Sequence, residues 1–153
     1  MTRSDIQDFD SLPQTLHTRQ RHSILIVDDM PELRRILAHF LALTLDVDII
    51  EADSGLTGIE RFLEVRPDLI ICDLTMPEMN GFEFLGFITR QREAGGVPIV
   101  VLTSEDDDQS RMQAAGLHAH AYLLKPFDAS SVLETLRPLL PPDIIRTPLQ
   151  RVA

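Results

Sequence analysis

The chain has 153 residues, 44% of them apolar and 25% charged, with a formal net charge of −10 and a single cysteine. That length suits one domain whose core needs no disulfide or structural metal. The acidic balance argues against direct binding of nucleic acid and against anionic membrane surfaces, both of which call for basic patches. The lone Cys72 excludes an internal disulfide and fits a reducing compartment. No apolar run approaches the roughly 20 residues of a membrane span, and the N-terminus lacks a basic-then-apolar export signal, so a cytoplasmic location is expected.

Residues 1–22 are polar, with Arg3, Arg19 and Arg21 balancing Asp5, Asp8 and Asp10, and read as a flexible arm or a short docking helix. Ser23–Val27 is a buried strand of mainly β-branched residues that runs into Asp28-Asp29. Pro31 suits a first helical turn, and Leu33, Ile36, Leu37, Phe40 and Leu41 form the apolar stripe of the helix it opens. The second strand is expected from Val47 to Glu51, near a sheet edge because Asp48 interrupts it. Ser54 caps a helix to about Arg66, with Leu56, Ile59, Phe62 and Leu63 inward and Pro67 stopping it.

Leu69-Ile70-Ile71-Cys72 is a continuous apolar run, the mark of a central parallel strand covered on both faces, and it sets Asp73 at the strand's carboxyl end. Cys72 inside it reads as a buried structural thiol. Asn80-Gly81 turns into a helix with Phe82, Leu85 and Ile88 on one side, which Gly95-Gly96 breaks. Pro98 to Leu102 is the fourth strand, ending at Thr103-Ser104. A weakly apolar helix is expected over Asp106–Ala115, on the surface and of low local stability. Ala121–Leu124 is the fifth strand, ending at Lys125-Pro126. Asp128 or Ser130 caps a last helix with Val132, Leu133, Leu136 and Leu140 inward, which Pro138 and Pro141-Pro142 end. Residues 141–153 read as a C-terminal tail. Five strands alternating with five helices imply a parallel sheet with helices on both faces.

Four of the strand ends carry polar residues: Asp28-Asp29, Asp73, Thr103 and Lys125. A parallel sheet delivers all of them to one rim. Each is ordinary alone. Asp29 could cap a helix, Asp73 could be a turn aspartate, Thr103 a capping hydroxyl and Lys125 a solvated lysine. Their coincidence carries the weight. Carboxylates within about 4 Å of one another repel by several kcal/mol per pair at an effective dielectric near 20. They raise one another's pKa values unless a cation sits among them. Lys125 offsets one charge, and Mg²⁺, which favours one or two carboxylates, waters and a phosphate oxygen, would offset the rest. Ammonium, hydroxyl and metal together suit a phosphoryl group, and a carboxylate nucleophile would form an acyl phosphate.

Ile24–Asp29, Leu69–Gly81, Val100–Ser104 and Tyr122–Phe127 resemble, in order and spacing, the CheY-like receiver domain of two-component response regulators, over about residues 23–140. The resemblance implies a flavodoxin-like, doubly wound α/β fold, (βα)5, with a five-stranded parallel sheet of order 2-1-3-4-5. It implies that Asp73 accepts a phosphoryl group from a sensor histidine kinase or a histidine phosphotransfer protein. Mg²⁺, with Mn²⁺ able to replace it, would be ligated by Asp29, Asp73 and the main-chain carbonyl of Thr75, with Asp28 acting mainly through water. Lys125 and Thr103 would contact the phosphoryl oxygens. Movement of Thr103 would let Tyr122 turn inward and alter the face of the fourth helix, fifth strand and fifth helix, where a downstream protein target would bind. Thr75 and Glu105 would flank the path of hydrolytic water, and Lys125-Pro126 would be cis.

The expected protein is a stand-alone phosphorylation switch, monomeric or weakly dimeric, with no output enzyme domain and no nucleic-acid or membrane partner. The alternative is an unphosphorylated receiver-like scaffold. A flavin protein on the same fold would need a phosphate-cradling first loop where Asp28-Asp29 stands. A haloacid-dehalogenase-type phosphatase would need an aspartate at Thr75. Tyr122 also reads as half-buried core. The segment Gly116–Ala121 departs from the family's small or acidic residues, and its His118 and His120 read as a surface pair rather than metal ligands.

Overall fold

A computed structural model describes residues 21–74, 81–91, 96–104, 116 and 119–146. Apolar runs without alternation need cover on both faces, and two such runs form β1 (Ser23–Val27) and β3 (Leu69–Asp73), buried at every position. β2 (Asp48–Ala52) carries exposed Asp48 and Glu51, and it lies at an edge, as its polar residues require. With β4 (Ile99–Ser104) and β5 (Ala121–Lys125) the strands form one parallel sheet of order β2-β1-β3-β4-β5, the order expected.

Among the described residues the helices are α1 (Pro31–Thr44), α2 (Gly55–Val65), α3 (Gly81–Arg90) and α4 (Ala129–Leu136), the last followed by 3-10 turns at Arg137–Leu139 and Pro142–Ile144. The helix expected over Asp106–Ala115 lies outside the described residues, as do residues 1–20, Thr75, Glu105, His118 and 147–153. Successive strand residues point to opposite faces, so the sheet divides the core in two. Ile24, Ile26, Ile71, Val100 and Leu123 pack with Leu37 and Leu41 of α1 and Val132 and Leu136 of α4. Leu25, Val27, Ile70, Cys72 and Val101 pack with Phe62 of α2 and Phe84, Leu85 and Ile88 of α3. Each such side chain contributes about 1.5–3 kcal/mol when fully buried.

Two helical stripes differ from expectation. On α1 the buried set is Leu37, Ala38 and Leu41, whereas Ile36 is 65% exposed. On α2, Leu56 and Leu63 are 53% and 46% exposed, and the buried line is Gly55, Gly58 and Phe62. The reason is Phe84. A Cβ on Gly58 would lie 2.9 Å from its ring, so the helix turns its glycine edge inward to let α3 approach.

The ends of these helices follow local chemistry. Ser54 caps α2 by accepting the Thr57 N–H, and Arg66, in the left-handed region at φ 56°, ends it before Pro67. Asp128, not Ser130, caps α4, accepting the Ser131 N–H at 2.8 Å. Within the expected tail, residues 141–146 are packed down. Ile144 is buried, its carbonyl accepts the Asp46 N–H at 2.7 Å, and Ile145 makes an antiparallel bridge with Leu45. Among the described residues no helix is long and apolar enough to cross a membrane.

Candidate functional site

The register of the parallel ladder sets which strand ends meet. Val27 pairs with Cys72, so Asp28 and Asp73 follow side by side. Asp73 pairs with Leu102, Thr103 with Leu124 and Ser104 with Lys125, which brings the next two polar residues to the same rim. One oxygen from each of Asp28, Asp29 and Asp73 lies within 4.8 Å of the others. Lys125 Nζ is 3.2 Å from Asp73 Oδ2 and 3.7 Å from Asp28 Oδ2. Thr103 is buried beside them. The Lys125-Pro126 peptide is cis.

Asp28 is the deepest of the three carboxylates and is fully buried. Its Oδ1 accepts the Met30 N–H at 2.9 Å, while its Oδ2, sealed from solvent, accepts no hydrogen bond among the described residues. Burial raises its pKa above the ordinary carboxylate value and the Asp73 charge adds to the rise, against the opposing Met30 N–H and the Lys125 ammonium. Unit charges 4 Å apart interact by about 4 kcal/mol at an effective dielectric of 20. One ammonium cannot balance three ionised carboxylates. An all-oxygen donor set, closely spaced and with one buried oxygen lacking a donor, fits a hard divalent ion of the Mg²⁺ kind. Asp28, Asp29 and Asp73 would hold it. The carbonyl of Thr75, expected to help, lies outside the described residues.

The other candidate residues fall around this array. Tyr122 is half-buried on β5, packed against the cluster that contains Cys72. Cys72 is fully buried and its thiol is pushed well up by burial, then by Asp73 and Asp28, so it is a core residue and not a nucleophile. His120 Nδ1 accepts the Ile99 N–H at 3.0 Å, which ties it to the start of β4. Two residues near the site carry more than the sequence suggested. A Cβ at Gly81 would collide with the Asp73 carbonyl oxygen, so only glycine lets α3 begin against the end of β3. Arg34 reaches back from α1 to the Asp28 main chain. Its partners are a main-chain carbonyl and a side chain of the edge strand, so no motif in the sequence points to it.

A flavodoxin-like sheet with an acidic, lysine-flanked array at its carboxyl rim defines the class of fold and site. The family model of the response regulator receiver domain matches residues 24–137, and the chain belongs to that family. Receiver domains are signalling modules of two-component systems, not separate enzymes, and phosphorylation and Mg²⁺ binding are typical of them. Protein PilH of Pseudomonas aeruginosa is 29% identical over 76% of this chain and 96% of its own length. Chemotaxis protein CheY-3 of Vibrio cholerae is 33% identical over 74% and 87%. The crystal structure of Vibrio cholerae CheY4 superposes with a TM-score of 0.74 at 30% identity, covering 78% of this chain and 99% of that one. Against longer relatives, such as the probable transcriptional regulator ycf27 of Porphyridium aerugineum, the chain spans about half the length, 49%.

Proposed function

We propose that this protein is a phosphorylation-controlled response regulator whose acceptor is Asp73. The observation that carries the reading is the convergence of three carboxylates and the Lys125 ammonium at one sheet rim, with Asp28 Oδ2 buried and lacking a donor among the described residues. A carboxylate oxygen of Asp73 attacks the phosphorus of a phosphohistidine on a histidine kinase or phosphotransfer protein. The P–N bond breaks, and the imidazole nitrogen leaves with the electron pair and takes up a proton. Lys125 faces Asp73 from 3.2 Å, where it would draw charge from the incoming phosphoryl oxygens. Thr103, at the end of the strand paired with β3, would donate its hydroxyl to another of those oxygens. Mg²⁺, or Mn²⁺ in its place, when bound by Asp28, Asp29 and Asp73 with the Thr75 carbonyl, supplies the remaining charge neutralisation.

Thr103 drawn toward the phosphate would free room for Tyr122 to turn inward. That would change the face that β5 and α4 share with the helix expected over Asp106–Ala115, the surface offered to a protein target. Such a switch works in the cytoplasm, as a monomer or weak homodimer. The test is intact mass after incubation with acetyl phosphate and Mg²⁺. One added phosphoryl group is expected in the wild type and none in Asp73→Asn. A wild type left unmodified where another receiver is labelled would overturn the reading.

A further inference from the structure

Every polar atom of Asp28 but one is held by something outside its own side chain. Its N–H donates to the Ala52 carbonyl of β2 at 3.0 Å, Oδ1 accepts the Met30 N–H, and its carbonyl accepts Nη1 of Arg34 at 2.7 Å. Oδ2 alone is left, aimed at Lys125 and the array. The third of these restraints comes from a side chain with a second anchor. Arg34 Nε donates to Glu51 Oε1 at 2.9 Å, so one planar guanidinium spans α1, the Asp28 carbonyl and the edge strand β2. It is largely buried, with 13% of its side chain exposed. An arginine can serve both acceptors from fixed directions, because its donors lie in one rigid fork, whereas a lysine offers a single point charge. Glu51 is more than a third exposed, so the ion pair itself adds little to stability. What the fork fixes is position.

We propose that Arg34 is a positioning residue of the ion-carrying loop: it pins the Asp28-Asp29 main chain to β2 and so holds the carboxylates in the spacing that accepts Mg²⁺. The proposal rests on the phosphate-switch reading, since it concerns the same array. Partners one step removed from a metal set how its ligands are aimed, and losing one typically weakens binding by about 10–100-fold. Arg34 bonds the Asp28 main-chain carbonyl rather than its carboxylate. Its effect acts through the main chain of the loop.

The experiment is a calorimetric Mg²⁺ titration of the full chain for the wild type, Arg34→Ala, Arg34→Lys and Glu51→Ala, with each variant's fold checked by circular dichroism. Arg34→Ala is expected to raise the Mg²⁺ dissociation constant roughly tenfold or more, Arg34→Lys to recover only part of that, and Glu51→Ala to weaken binding less than Arg34→Ala. At saturating Mg²⁺, labelling by acetyl phosphate should return to the wild-type stoichiometry, because the acceptor itself is untouched. Folded variants that bind Mg²⁺ as the wild type does, with only a lower melting temperature, would overturn the positioning role. Should Arg34→Ala fail to fold, the Lys and Glu51 variants decide in the same way. A wild type that binds no Mg²⁺ would overturn the phosphate-switch reading along with this one, whereas normal binding in all variants overturns this one alone.

Discussion

A carboxylate with no solvent contact, Asp28, stands beside a second carboxylate, with one ammonium among the described residues for compensation. Its pKa is raised, chiefly by burial, so the folded chain holds the proton more tightly than the unfolded chain does. Stability therefore falls as pH rises from the ordinary value of 3.8 through the raised one, so the metal-free protein is penalised for this charge on the alkaline side of that window. Asp28→Asn keeps an oxygen for the Met30 N–H and removes the charge. In urea unfolding at pH 7 with chelator present, its midpoint should lie above that of the wild type, and a lower midpoint would contradict the charge argument. At this scale the sequence is informative for a plain reason. Asp28, Asp73, Thr103 and Lys125 each follow an apolar strand, and a parallel sheet sends all strand ends one way. Arg34 was not legible, because its partners are a main-chain carbonyl and an edge glutamate from another strand, a contact no periodicity reports.

Elements were legible wherever burial is two-sided, as in β1 and β3, and less so where a helix face depends on its neighbour. The stripe Leu56, Ile59, Phe62 and Leu63 obeys helical spacing, yet α2 buries Gly55, Gly58 and Phe62 because Phe84 of α3 fills the place of a missing Cβ. Hydropathy cannot register a gap that another helix occupies. Caps were easier. Of two possible residues for α4, Asp128 takes the role, and the Ser131 N–H, followed by the Ser131 hydroxyl, holds its carboxyl below the usual range. A lowered folded pKa means the cap's contribution is present above the ordinary carboxyl value and is lost as pH falls through the lowered one. The difference in melting temperature between wild type and Asp128→Ala should thus be clear at pH 6 and shrink as the solution is taken below pH 3.8. A difference constant across that range would show that the charge on Asp128 plays no part in the cap.

The whole molecule places its stability and its chemistry in separate regions. Two apolar layers hold the sheet from either side. At the opposite end from the acidic rim, residues 141–146 fold back on the link between α1 and β2, where Arg21 and Arg146 both reach Asp46, at 2.8 and 3.6 Å. That packing was not legible, since a stretch rich in proline after a helix reads as an exit, and only the three-dimensional position of Leu45 gives Ile144 and Ile145 somewhere to go. The carboxyl rim, by contrast, gathers three carboxylates around the Lys125 ammonium. A ligand that binds only the folded state raises its stability with concentration. The most direct measurement is therefore the melting temperature at neutral pH, first with divalent ions stripped and then with Mg²⁺ titrated into the millimolar range. A rise that grows with Mg²⁺ and is abolished in the Asp28→Asn/Asp29→Asn double variant is expected. An unchanged melting temperature in the wild type, or an equal rise in the double variant, would contradict a built ion site at this rim.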